Sequence, residues 1–267
     1  MEDPYASRRR TVVDYRFHTK EQQDFYETIL LDKKPIVCDM RWVDWKFIRE
    51  NEKHYPGVEE SFIACGVADF VGQKFTNWND DLIMQFYSTA HFYPDGRIVW
   101  MSEGTRYQST VEEWESLINA PKEEEDDLDI YAKKKLGHNS MAHMYKEIPD
   151  KAVETHKFGS VHFLLLGLAT INWILRHTLL PKSGDHNMIR GHAINMLHVF
   201  DVPQKFKVMR LIIETIKRTA ADQKRSCGYA PQIQELINSK MGIGKYQLDK
   251  EHFPIYPDFE DNEVVMN

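Results

Sequence analysis

Cysteine, long apolar runs and excess positive charge are all scarce in this chain, and each shortage removes a class of protein. Three cysteines, Cys38, Cys65 and Cys227, stand far apart among 267 residues. That number and spacing fit neither a disulfide scaffold nor a paired metal knuckle, and they point to a reducing compartment. The longest apolar stretch, residues 161–175, is interrupted by His162 and Asn172 and falls short of the roughly 20 residues a bilayer requires. It reads as a buried helix, and no membrane partner is expected. The opening Met1-Glu2-Asp3-Pro4 carries no apolar leader, so an intracellular location, cytoplasmic or nuclear, is expected. With 34 Lys+Arg against 41 Asp+Glu, net −7, the chain as a whole is no polybasic nucleic-acid binder.

Catalytic signatures are equally scarce. There is no GxSxG, P-loop or GxGxxG pattern, and Met241-Gly242-Ile243-Gly244-Lys245 lacks the Ser or Thr a P-loop needs, so it reads as a helix cap and turn. Twelve histidines invite a metal reading, but no HExxH occurs, and the pairs His156/His162 and His192/His198 have five residues between partners, off the i, i+4 geometry of two ligands on one helical face. His138 and His143 read the same way, as structural histidines. Carboxylates are plentiful without converging: Asp80-Asp81 and Glu112-Glu113 are better read as helix starts. No catalytic, cofactor-binding or metal-ligating residue is assigned, and the expectation is a protein that is not an enzyme and needs no cofactor.

What the sequence does hold is apolar and aromatic mass: 42% hydrophobic and 12% aromatic residues, enough to bury a substantial core. Helical periodicity starts after Thr19 as N-cap and ends near Lys33-Lys34-Pro35; further helices are expected over residues 39–51, 59–70 with a break at Gly66, and 79–87 capped by Asn79 or Asp80. Pro94-Asp95-Gly96 separates two apolar runs and predicts a hairpin, extended by a turn at Glu103-Gly104 into a third strand over 105–108. Thr110-Val111-Glu112-Glu113 has capping-box spacing ahead of a helix over 111–119. Trp100 and Trp114 are expected to close over one apolar face. Beyond the hairpin, helices are expected over 158–180, 186–200 capped by Asp185, 204–225 and 232–241. The resulting fold class is mainly α (α+β), a helical bundle with one small antiparallel hairpin or meander near residues 90–108.

Charge divides the chain as well. Residues 1–120 carry net −7 and residues 121–267 net 0, with an acidic-then-basic run over 122–135 between them. The expected organisation is therefore a flexible N-terminus at 1–13, an α+β half at 14–120, a charged linker region at 121–155, a C-terminal helical bundle at 156–245, and an extended acidic tail at 246–267.

The helix over 204–225 is the one element with a charged face to weigh. Lys207, Arg210, Lys217 and Lys224 recur at helical spacing with Arg218 and Arg225 beside them, and residues 176–225 carry ten basic against four acidic groups. A phosphate-tracking or acidic-partner surface is one reading. A solvated face paired to Glu214 is the other, and it is favoured because no aromatic side chains are interleaved for base stacking.

Two stretches together carry a resemblance. Trp78-Asn79-Asp80-Asp81-Leu82-Ile83-Met84-Gln85-Phe86-Tyr87 and HFYPDGRIVWMSEGTRYQSTVEEW (residues 91–114) resemble the first half of a plant transposon protein domain; ILRHTLLPKSGDHNMIRGHAINMLHVFD (residues 174–201) and CGYAPQIQELI (residues 227–237) are similar to its second half. That domain is found in grass retrotransposon-associated open reading frames and host-retained relatives, and it brings no catalytic residues to transfer. The resemblance implies an element-derived plant protein. Two functions are then open: a non-enzymatic module acting through protein contacts, by self-association or docking on host proteins, or a gag-like or transposition-accessory protein that contacts nucleic acid through the basic helix. The adhesive elements expected for the first are that helix and an aromatic tail of Phe253, Tyr256 and Phe259, with Met-rich composition (11 Met) adding adaptable apolar anchors.

Overall fold

Why residues 39–43 extend while 45–50 coil becomes plain once the partners of each are seen. The structure, a computed structural model, describes residues 14–32, 37–133, 136–145, 159–181, 187–222, 226–242, 247–248 and 250–256. In chain order its elements are α1 (Lys20–Phe25), β1 (Arg41–Val43), α2 (Trp45–Glu50), α3 (Val58–Ala64), α4 (Ala68–Gly72), α5 (Asp80–Thr89), β2 (His91–Phe92), β3 (Arg97–Ser102), β4 (Thr105–Thr110), α6 (Val111–Leu117), α7 (His138–Ala142), α8 (Leu166–His177), α9 (His192–Asp201), α10 (Val208–Ala220), α11 (Ala230–Met241) and β5 (Phe253–Ile255). The chain divides into two units, each discontinuous in sequence: residues 1–40, 75–120 and 212–252 form the first, and residues 41–74, 121–211 and 253–267 the second. The expected N-terminal segment 1–13, the Asp185 cap, Lys224, Arg225 and Phe259 lie outside the described residues.

The first unit is an α+β assembly around a three-stranded antiparallel sheet in the order β2-β3-β4. Both expected turns are present. Gly96 and the pair Glu103-Gly104 all take positive φ, and two consecutive left-handed residues make the second turn the hairpin type whose twist matches its strands. Gly104 is also the point where Tyr15 lies closest: a Cβ there would stand 2.5 Å from the Tyr15 ring. The expected capping box of Thr110 with Glu113 formed, the expected N-cap Thr19 forms a second one with Gln22, and Asn79 caps α5 by accepting the Leu82 N–H. Phe86 of α5 meets Trp100 at 5.9 Å and Trp114 at 6.5 Å between ring centroids. Both tryptophans are fully buried. The Trp114 indole donates to the Gln232 carbonyl at 3.0 Å, which fastens α6 to α11.

The second unit holds the two-stranded parallel sheet β1-β5, in register Arg41↔Phe253, Trp42↔Pro254 and Val43↔Ile255. This overturns the helix expected over 39–51. Helical spacing of Met40, Val43 and Phe47 is satisfied equally well by a short strand followed by α2, and it is the pairing with β5, more than two hundred residues away in sequence, that decides. Helices α4 and α8 pack on this sheet, and α3 and α9 pack on α8 and on each other, with Phe62 and Phe200 at 4.5 Å.

The expected C-terminal bundle over 156–245 is corrected in three respects. Helices α8 and α9 belong to the second unit, whereas α11 packs on α5 and α6 in the first. The long helix over 158–180 begins only at Leu166, because Leu164 bridges to Tyr145 and the Leu165 N–H donates to the Met144 carbonyl at 3.0 Å, which holds the backbone extended. The helix over 186–200 begins only at His192, since Ser160 bridges to Met188 and Gly191 turns the chain at positive φ. The linker is corrected too: within 121–155, Leu128 bridges to Phe206 and Ile130 is buried. Of the tail expected past residue 246, residues 257–267 lie outside the described residues, and Phe253–Ile255 form a paired strand whose Ile255 is buried. No helix among the described residues is long and apolar enough to cross a membrane.

Trp100→Ala should lower unfolding stability by about 3 to 5 kcal/mol, read from denaturant midpoints at unchanged slope. A midpoint like that of the wild type would show that β3 does not close the core of its unit.

Candidate interaction surfaces

The basic face expected on the helix over 204–225 separates into parts with different partners. Its helical portion, α10, starts at Val208, so Lys207 is the residue before the helix. A lysine side chain cannot accept a hydrogen bond and therefore cannot cap the free amides of the first turn. Glu123 does so from a distant segment, its Oε1 accepting the Arg210 N–H at 2.8 Å. The same acidic segment continues along the approach to the helix. The Leu128 N–H donates to the Lys205 carbonyl at 3.1 Å and the Lys207 N–H to the Leu128 carbonyl at 3.0 Å. Lys207 Nζ reaches the Glu125 carbonyl at 3.1 Å. Arg210 Nε lies 3.5 Å from Asp129 and Lys205 Nζ 3.8 Å from Glu124.

Further along α10, Lys217 pairs with Glu214 at 3.1 Å and places its ammonium 5.8 Å from the Phe92 ring centroid. Arg218 is exposed on the same turn. The pairing to Glu214 is the one the solvated-face reading requires. Sequence reasoning missed Glu123, Glu124, Glu125 and Asp129 as the partners of Lys205, Lys207 and Arg210. The signal was present as an acidic run of opposite sign to residues 205–210, though nothing local specified that the two would meet.

The aromatic tail is organised by β5. Ile255 at its end is buried, while Phe253 at its start and Tyr256 just beyond it keep 48% and 53% of their surface exposed. Tyr256 stands edge-on to Phe47 at 5.0 Å, a contact no sequence signal announced. Phe253 is carried on backbone paired with Arg41 of β1 and Tyr256 is held by its ring contact with Phe47, so both present apolar area at a fixed position.

A polar cluster in the first unit was also not anticipated. Gln85, fully buried on α5, donates through Nε2 to Asp81 at 2.7 Å and to Glu103 at 2.5 Å, and accepts the Glu103 N–H at 2.8 Å. Arg16 pairs with Asp14 at 2.6 Å, lies 3.5 Å from Asp81, and donates to the Tyr26 hydroxyl at 3.2 Å; that hydroxyl in turn bonds Asp81. Burial, then the Asp81 carboxylate, push the Tyr26 phenol well above its ordinary range, and the Arg16 hydrogen bond holds Asp14 below the usual carboxylate range. A phenol so raised is a poor base or nucleophile at neutral pH, and the cluster ties the segment before α1 to α5 and to the β3–β4 turn.

Elsewhere the ionisable groups have structural explanations. The Glu113 carboxyl is held low by Ser109 and by Lys240 at 3.1 Å. Burial pushes the Cys65 thiol up to about 11, and the three cysteines are buried and unbridged, an environment that suppresses thiolate chemistry. Among the described residues no group of three or more His, Cys, Asp or Glu side chains could hold a metal ion. No protein-family model, curated protein or solved structure matches the chain.

Tyr87 yields the sharpest electrostatic expectation. Its buried hydroxyl donates to the Gly228 carbonyl at 3.0 Å and accepts the Gly228 N–H at 3.1 Å, and burial raises its phenol far above the usual value. In the unfolded chain a tyrosine ionises near pH ~10, whereas the folded state keeps this proton, so stability is full below pH ~10 and falls as pH rises above it. Tyr87→Phe should cost about 1 to 3 kcal/mol at pH 7 by leaving the Gly228 groups unpaired, and should flatten the alkaline fall measured by unfolding at stepped pH.

Proposed function

We propose that this protein is a non-enzymatic module that works by binding protein chains, its own copies included, through the aromatic surface at β5. The observation that carries the reading is the burial pattern at the end of that strand: Ile255 is locked in the core while Phe253, two residues before it, and Tyr256, just after it, stand half exposed. Rigid aromatic rings beside a polar rim are the anchors from which protein interfaces draw most of their energy, and presenting them on a paired strand lowers the ordering cost of binding. The non-catalytic part of the proposal is supported by the titrating groups already described, whose displaced proton affinities trace to apolar burial or to structural partners. The resemblance of residues 78–87, 91–114, 174–201 and 227–237 to the plant transposon protein domain supports an element-derived origin.

The gag-like or transposition-accessory reading, with nucleic acid on the face of Lys207, Arg210, Lys217, Arg218, Lys224 and Arg225, ranks second. Glu123, Glu125 and Asp129 contact the first two of these residues and Glu214 the third, which leaves that face with less net positive charge for phosphate than the sequence suggested.

Light scattering on the eluting protein tests the first reading. The wild type should show a mass above that of one 31.5 kDa chain, and the Phe253→Ser/Tyr256→Ser variant should return to one chain while still unfolding in one cooperative transition, with a loss of about 0.5 to 1.5 kcal/mol for the Tyr256–Phe47 edge contact. A wild type that stays a single chain at every loading concentration would overturn self-association through this strand.

A further inference from the structure

We propose that residues 205–210 form a recognition surface for an acidic peptide of a partner protein, and that the chain's own segment 123–129 occupies this surface as an intrachain competitor. The contacts are those of a bound peptide. The segment turns where the Asp127 N–H donates to the Glu124 carbonyl at 3.2 Å, and Leu128 then exchanges two backbone hydrogen bonds with Lys205 and Lys207, a single rung of the pairing by which a peptide adds to a free edge. Glu123 places a carboxylate on the Arg210 amide, at the third residue of α10, where the helix dipole and uncapped N–H groups favour an anion. Lys205, Lys207 and Arg210 then meet Glu124, the Glu125 carbonyl and Asp129. One ligand is thus read by its backbone and its acidic side chains together.

The hold is built to be exchangeable. Residues 122–126 are all exposed, and the Lys205 and Glu124 side chains keep 62% and 66% of their surface in solvent, so their ion pairs are screened and individually weak. Ile130, buried immediately after the segment, keeps it tethered when it is displaced. A protein ligand is favoured over nucleic acid because the seat pairs with one residue's N–H and C=O together, at the Lys205 carbonyl and the Lys207 N–H, a spacing that a peptide backbone repeats and a phosphodiester backbone does not. This inference concerns a surface separate from the Phe253/Tyr256 strand and stands or falls independently of self-association.

The test uses the full chain and a labelled synthetic peptide with the sequence of residues 121–131, PKEEEDDLDIY. The variant E123Q/E124Q/D129N should bind it about tenfold more tightly than the wild type, a difference of 1.4 kcal/mol, and adding K205A/R210A should remove the gain. A control neutralising the exposed acids Glu52, Glu60 and Glu112 should bind like the wild type. In the wild type itself, excess unlabelled peptide should speed hydrogen exchange at the Leu128 amide, a readout that needs no variant. Equal affinity for wild type and triple variant with no change at Leu128 would overturn the proposal. So would a gain indifferent to K205A/R210A, a gain shared by the control, or a triple variant that prefers a single-stranded oligonucleotide of equal charge to the peptide.

Discussion

Three consecutive residues of α5 carry the first unit, and the rest of its structure depends on the ring at their centre. Phe86 is fully buried and meets Phe92, Trp100 and Trp114, so it holds the sheet and α6 against one helix. The neighbours of Phe86 on the helix are thereby aimed in fixed directions. Gln85 reaches the β3–β4 turn at Glu103, and Tyr87 closes on both backbone groups of Gly228. Moving the Phe86 ring would expose two unpaired polar side chains as well as apolar surface, and the desolvation of unpaired groups makes such a core all-or-none.

In the second unit the equivalent constraint is the pairing of β1 with β5, which brings a segment near the end of the chain to Arg41–Val43. A two-stranded sheet alone is marginal in water; here Val43 and Ile255 are buried and the helices α4 and α8, with α3 and α9 packed on α8, supply the surrounding apolar surface. That burial fixes Ile255, and with it the positions of Phe253 and Tyr256.

What was legible in the sequence follows the range of each interaction. The two turns, the Thr19, Asn79 and Thr110 caps and the Gly242 helix end depend on a few adjacent residues, and each appears where local chemistry placed it. Trp100 and Trp114 were legible as core because a large ring on an apolar strand or capped helix has nowhere else to go. The strand at 41–43, the late starts of α8 and α9, the acidic segment along residues 205–210 and the cluster around Gln85 were not legible, since each is decided by a partner far away in sequence. Of the candidate surfaces, the basic face was visible as residues but not as a set already engaged, and the aromatic tail was visible as composition but not as a strand whose buried Ile255 stands between two exposed rings.

The account separates two kinds of contact: an apolar anchor at β5, insensitive to ionic strength, and an acidic segment on a basic edge, weakened by it. Sedimentation velocity over a range of protein concentrations, at low salt and at about 0.5 M salt, tests the first most directly. The account predicts a sedimentation coefficient that rises with concentration equally at both salt levels. A single species of one 31.5 kDa chain at all concentrations, or association that disappears in high salt, would contradict it.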